Sequence, residues 1–136
     1  MSYELREHTA DIAVEATGQT LAATFEAVGD GLAAAMCDAP PKEGDRFGLT
    51  RTAESREALL FDYLDELIYQ RDVRAVLPVE NEATIREVDG DWTVEASARG
   101  VPLSAITARE VKAVTYSEMQ LEPVADGWRA YVVFDV

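Results

Sequence analysis

The hydrophobic positions of this chain change period in a readable order. Tyr3 and Leu5 alternate with Glu4 and Arg6, and the run HTADIAV at 8–14 leads into a second alternation, Ile12 and Val14. Period two predicts strands with opposite faces. Ile12 and Val14 then share the core face, while Asp11, Ala13 and Glu15 share the other. Gly18 ends this pattern, and Thr20 can cap a helix whose apolar positions Leu21, Phe25, Val28, Leu32 and Met36 recur at three- and four-residue steps with alanines between. Such a stripe lies on a sheet. Gly29 and Gly31 weaken a helix interior and therefore predict places of close packing. The helix must stop before Ala39-Pro40-Pro41, which with 42–45 forms an exposed loop.

Residues 47–53 have room for a strand. Ser55 can cap a second helix with Glu57 in its first turn, where the helix dipole favours an acid. Leu59, Leu60, Tyr63, Leu64, Leu67 and Ile68 form its apolar stripe, with Asp62, Asp65 and Glu66 on another side. From Ala75 the period returns to two. Residues 83–88 and 91–98 flank Asp89-Gly90, a two-residue loop suited to a tight hairpin. Residues 100–103 read as a connection, 111–121 as a strand, and 128–136 as the last strand after Asp126-Gly127. The pattern predicts an α+β domain, a largely antiparallel sheet with two amphipathic helices packed on one face, occupying residues 1–136 as a single unit. A chain of 136 residues can bury about two thirds of its unfolded surface.

The polar positions of the first and last strands then matter. Asp11 and Asp135 both stand off the apolar face of their strands, and with the terminal carboxylate they would form a negative cluster. Such a cluster calls for a cation or a basic partner. The plainer alternative is a pair of solvated aspartates at strand ends. The acids of the second helix likewise read either as a solvated face or, for Asp62, as a group reaching the same pole. The lone Cys37 has no partner for a bridge and no base nearby in sequence, so it reads as an inert thiol near a helix end.

Three segments together resemble one family: HTADIAV at 8–14, LLFDYLDELIY at 59–69, and VKAVTY at 111–116 with a terminal Phe-Asp-Val. In this order, and over the whole length, they are similar to the archease family. The resemblance implies a small α+β protein that activates the RtcB-type tRNA-splicing RNA ligase, promoting its guanylylation and repeated turnover without an active site of its own. It also implies a divalent-metal site, usually calcium, at Asp11, Asp135 and Val136, the last through main-chain or terminal oxygens. Magnesium or manganese would suit the same hard oxygen donors. Asp62 matches a recurrent acid of the second segment and is a weaker candidate ligand. His8 matches too, but imidazole suits calcium poorly, so a hydrogen bond shaping the turn, or a contact to ligase or nucleotide, is its expected role. Lys112 stands in the third segment, either contacting ligase or nucleotide phosphate or lying along apolar surface beside an acid. The family often has a histidine after the tyrosine at 116; this chain has Ser117, and no role transfers there.

Two other functions are compatible with the same residues. One is a metal-dependent hydrolase using His8 as base; the other is a structural domain stabilised by calcium. The first lacks a second histidine, an activated nucleophile and a phosphate-binding glycine loop.

Charge narrows the choice of partners. Acidic residues number 26 against 12 basic ones, a formal net charge of −14, so RNA would be met only through the ligase. Nothing in the pattern spans a membrane or resembles a secretion signal, and a cytoplasmic location is expected. The basic set comprises ten arginines and only Lys42 and Lys112 as lysines. Acid excess with few lysines fits a solvent face adapted to concentrated salt, where screening removes self-repulsion; an acidic partner-binding surface is the other reading. Dialysis from molar salt into dilute buffer should therefore lower the melting temperature. A melting temperature independent of salt would remove the salt-adaptation reading.

Overall fold

Each predicted helix begins at its predicted cap. In the structure, a computed structural model that describes residues 2–8 and 11–136, and only the backbone of Ser2, Arg6, Glu7 and His8, the Thr20 hydroxyl accepts from the Ala23 N–H at 3.0 Å. Ser55 does the same for Ala58 at 3.1 Å. Each satisfies one of the amide donors that a helix start leaves free. These caps open α1 (Leu21–Met36) and α2 (Arg56–Arg74). The strands are β1 (Ser2–His8), β2 (Asp11–Gly18), β3 (Arg46–Ala53), β4 (Val76–Val88), β5 (Asp91–Pro102), β6 (Ala113–Val124) and β7 (Gly127–Asp135).

The predicted antiparallel α+β architecture is present, with one feature the pattern did not supply. The strands divide between two sheets, ordered β1-β2-β7-β6 and β3-β5-β4. Helix α1 packs on β1, β2 and β7 of the first sheet and on β4 of the second; α2 packs on β6 of the first and on β3, β4 and β5 of the second. The helices thus form a middle layer. One continuous apolar cluster runs through all three layers, from Val14 and Phe134 through Phe25, Leu32 and Leu64 to Leu77 and Val94.

Helix α1 suits this place because small or apolar side chains surround almost its whole circumference, and a helix apolar on nearly every side is a buried one. Its glycines do what their positions suggested. A Cβ on Gly31 would lie 2.6 Å from Val14 Cγ1, and one on Gly29 would lie 2.9 Å from the Tyr63 hydroxyl. The helix therefore approaches the first sheet and α2 more closely than any side chain would allow.

Two carboxylates of α1 hold an irregular part of β4. The ladder with β5 slips between Val79 and Glu82, and Glu80 there has φ 50, a left-handed conformation uncommon outside glycine. Asp30 Oδ1 accepts from both the Asn81 main-chain N–H and its side-chain amide at 2.9 Å, and Glu26 Oε2 accepts from the Ala83 N–H at 2.8 Å. The Asn81 amide that the bulge removes from the ladder, and that of Ala83 just beyond it, are thereby satisfied. Tyr63, fully buried, donates to Asn81 Oδ1 at 3.4 Å. Burial first, and then Asp30 and Glu26, drives its hydroxyl far above the usual tyrosine range, so it stays a neutral donor.

Three further boundaries differ from the pattern. β4 starts at Val76, before Pro78, and β5 continues through Gly100 to Pro102, where a connection was expected. Strand β6 begins at Ala113, two residues later than the pattern gave. At one end of the sheets the Arg56 guanidinium lies between both tryptophans, 5.5 Å from the Trp92 ring centre and 4.9 Å from that of Trp128. A cation on two indole faces ties β5 to β7 across the helical layer.

The bulge contacts give a stability test. Asp30→Ala should leave the Asn81 donors without their acceptor and cost about 2–3 kcal/mol, lowering the urea midpoint by roughly 1 M. Asp30→Asn, which keeps an acceptor oxygen, should lose less. An Asp30→Ala midpoint equal to that of the parent would show that the bulge does not depend on this carboxylate.

Candidate functional site

Strand register decides which polar groups of the first sheet meet. Strands β2 and β7 are antiparallel neighbours with Asp11 opposite Asp135, Ile12 opposite Phe134 and Val14 opposite Val132. Directly opposed residues share a face, with Cβ atoms about 5 Å apart. The buried pairs Ile12–Phe134 and Val14–Val132 face the helices, so both aspartates are turned to the outer side. The two carboxylates singled out from the sequence are therefore cross-strand neighbours. Ala13 and Val133, the next pair on the outer face, are also buried, so this face is not purely a solvent face near the aspartates.

The surrounding contacts set this pair apart. Further along the outer face, Glu15 is held by Arg129, whose Nε donates at 2.9 Å. On the other sheet Glu80 pairs with Arg99 at 3.0 Å, and this hydrogen bond and charge hold the Glu80 carboxyl below the usual range. Neither Asp11 nor Asp135 forms an ion pair or side-chain hydrogen bond with another described residue. Like charges directly opposed repel unless something positive stands between or beside them.

The remaining candidates fall in different places. Val136 follows β7 and packs its side chain against the core, leaving its main chain next to Asp135. Asp62 does not join the pair: it lies beside Arg51, Nη2 to Oδ1 3.6 Å, and among the described residues no three histidine, cysteine, aspartate or glutamate side chains are grouped so as to hold a metal ion. His8 stands opposite Asp11 in the β1–β2 register; its side chain, and Thr9 and Ala10 of the opening motif, lie outside the described residues. Cys37 closes the end of α1, its N–H donating to Ala33 O, and is half-buried.

Lys112 belongs to the same end of the molecule as Asp135. Its N–H donates to Asp135 O at 2.8 Å, and its exposed side chain borders an open cleft of about 410 Å³ against α2 with Arg51, Asp65, Glu66, Tyr69 and Asp72. It forms no ion pair with another described residue. Just before it, the Val111 carbonyl accepts from Nη1 of buried Arg71, whose Nε donates to Asp72 at 3.0 Å. Arg71 thus fixes the backbone that carries Lys112. Sequence reading missed Arg71; the available signal was an arginine continuing the Leu64, Leu67, Ile68 stripe, where a side chain is buried.

Among the described residues the outer pole offers oxygen donors, two carboxylates and neighbouring main-chain carbonyls, a set suited to a hard divalent cation. Taken with the fold, it belongs to a small α+β domain in which two antiparallel sheets enclose a pair of helices. The solution structure of Methanobacterium thermoautotrophicum protein 1598 has the same fold, with a TM-score of 0.84 and 27% identity over 98% of both chains. A crystal structure of an archease from Thermotoga maritima, described as a possible chaperone, shares the fold at TM-score 0.59 and 21% identity, over 98% of this chain and 96% of that one.

Residues 3–136 match the archease protein family. The archease of Methanosarcina acetivorans is 37% identical over 142 residues, covering 98% of this chain and 95% of that protein, and the archease of Pyrococcus furiosus is 32% identical over 139 residues, covering 98% of each. This chain belongs to the archease family. No helix among the described residues is long and apolar enough to cross a membrane.

One electrostatic consequence can be measured. The Tyr116 hydroxyl is raised above the usual tyrosine range, first by loss of water and then by the carboxylates of Asp62 and Glu54. Its phenolate is disfavoured in the folded state, so this contribution to stability is present below the unfolded-state pKa and is lost as pH rises through the folded one. Phenolate absorbance, taken as the difference from Tyr116→Phe, should show Tyr116 titrating at lower pH in Asp62→Asn than in the parent. Identical midpoints would mean that Asp62 exerts no field at this ring.

Proposed function

We propose that this protein is an accessory factor that activates an RtcB-type tRNA-splicing RNA ligase in the cytoplasm, promoting guanylylation and repeated turnover without itself being a catalyst. It binds a divalent cation, calcium in the first instance, through Asp11, Asp135 and the main-chain or terminal oxygens of Val136. The observation that supports this reading is the register that sets Asp11 opposite Asp135 on the outer face, two carboxylates with no basic side chain beside them among the described residues. The ligase as partner is what the resemblance to the archease family implies.

The residues of this chain divide the work. Asp11 and Asp135 supply the negative oxygens, and the β2–β7 ladder fixes their spacing so that little ordering is left for binding. A bound cation would cancel their mutual repulsion and present positive charge at an otherwise acidic pole. Lys112, held between the Arg71–Val111 and Lys112–Asp135 hydrogen bonds, projects a second positive group at the same end. A phosphate of the ligase-bound nucleotide is the natural counterpart of such a lysine. The excess of acids keeps the protein itself off RNA and leaves substrate binding to the ligase.

Calcium at about a hundred times its Kd should stabilise the parent by roughly 2.7 kcal/mol, a rise in melting temperature on the order of 10 °C. A chelator should reverse it. Asp11→Ala should keep the fold but lose both the calcium-dependent rise and activation of RNA-half ligation by the cognate ligase. Lys112→Ala should keep the calcium response and lower multiple-turnover ligation by roughly tenfold, a loss of the size expected for one phosphate contact. Normal activation by Asp11→Ala would remove the metal from the mechanism. Unchanged guanylylation with and without the parent protein would remove the ligase.

A further inference from the structure

A second surface is built where β6 leaves its ladder. The pairing of β6 with β7 shifts between Thr115 and Gln120, Glu118 takes φ 58, and the Ser117 N–H turns to the Thr115 hydroxyl at 2.8 Å. Residues 116–119 thereby lose their register with β7. Tyr116, the first of them, stacks flat on Phe61 of α2, with ring centres 4.1 Å apart and planes 6° from parallel, yet 54% of it is exposed. Phe61, Asp65, Tyr69 and Val73 follow at four-residue steps and so share one side of α2; Tyr69 and Val73 are 57% and 58% exposed. A left-handed non-glycine residue and large exposed aromatics are both unfavourable in an isolated domain, and here they occur together.

Charge states what such a surface can receive. Glu54, Asp62, Asp65, Glu66 and Asp72 surround it, against the cations Arg51, half-buried, and Lys112, exposed. Arg51 is already shared among Asp62, Asp65 and Glu66 at 3.1–3.9 Å. RNA phosphate is repelled by such a face. A second copy related by a two-fold axis would set acid against acid. A basic protein surface fits: guanidinium groups pair with the carboxylates and lie on the tyrosine faces, a combination that tyrosine and arginine supply at the centres of many interfaces. Enzymes that hold RNA must carry such basic surface to meet its phosphates.

We propose that the Phe61–Tyr116 platform, with Tyr69 and Asp65 of α2, is the surface by which this protein docks on an arginine-bearing face of the ligase. This rests on the ligase reading above and adds to it the place of contact. In concentrated salt charges are screened beyond a few ångströms, so the contact depends on the stacked rings, with the acids selecting a basic partner at short range.

The test measures binding of the full-length protein to the ligase by calorimetry, alongside calcium-dependent melting. Tyr116→Ala should weaken the ligase affinity at least tenfold, and Asp65→Arg, which reverses a charge on an exposed helix position, should do so independently. Both variants should keep the parent's calcium-induced melting shift, since Asp11 and Asp135 are untouched. Parent-like affinity of both variants, with the parent bound, would overturn this docking face and leave the ligase reading standing. Absence of binding by the parent itself would overturn both. Concentration-dependent self-association of the parent that Tyr116→Ala abolishes would assign the platform to a second copy and overturn the proposal.

Discussion

The register of β2 against β7 is the constraint on which the rest of this molecule depends. It is a contact between nearly opposite ends of the chain, and side-chain period fixes its consequences. Because Ile12, Val14, Val132 and Phe134 must face the helices, Asp11 and Asp135 are forced to the outer face and into opposition. A slip of one residue would turn the aspartates into the core and the core residues outward, exchanging several buried apolar side chains for buried charges. The same hydrophobic burial that stabilises the domain therefore holds two like charges together. The folded state carries that repulsion as a fixed property of its geometry, available to any cation that relieves it.

Irregularity is treated differently at the two bulges, and the contrast separates structure from function. Around Glu80 the Asn81 and Ala83 amides are met by Asp30 and Glu26 of α1, and the buried Tyr63 hydroxyl completes the network. That bulge is anchored inward. At residues 116–119 the released segment turns outward, and its aromatic ring finds a surface neighbour in Phe61 rather than a place in the core. Both break the same ladder rule and use a left-handed non-glycine residue. Only the second leaves apolar surface exposed, which is why it reads as a contact site and the first as a brace.

The legibility of the sequence followed the range of the forces involved. Caps at Thr20 and Ser55, the Asp89-Gly90 hairpin turn with both residues at positive φ, and the alternation of the terminal strands are local, and each is found where the pattern put it. The start of β4 was missed because Pro78 interrupts a strand pattern, although its missing N–H is tolerated there. The end of β5 was missed for a related reason, since Gly100 and Pro102 read locally as a turn. The division into two sheets was not legible from strand patterns, because both outer faces are polar and both inner faces apolar. The signal lay in α1, where alanines and glycines fill the sides that a surface helix would give to charged residues. The side-by-side placement of Asp11 and Asp135 was argued from strand alternation and family likeness together; the acid Asp62 was separable from them only once Arg51 of β3 was seen beside it.

The two surfaces are not independent in space. Ala113 stands opposite Asp135 in the β6–β7 register, and Tyr116 follows three residues later on the same strand. At about 3.3 Å per residue, roughly 10 Å of backbone separates the platform from the aspartate pole. Lys112 bridges the interval, hydrogen-bonded to Asp135 through its backbone and bordering with its side chain the cleft that Asp65 and Tyr69 also line. The aspartates face away from the helices and the platform lies against α2, so a protein resting on the α2 and β6 side would approach the carboxylate pole around the β6 edge. Docking and metal binding would thus be coupled through proximity alone: a basic partner surface seated on the platform adds positive charge near Asp11 and Asp135, and a cation already between them lowers the local negative charge that draws the partner in. The two effects oppose each other in electrostatics. The rings, which carry no charge, keep the platform attractive whichever state the pole is in.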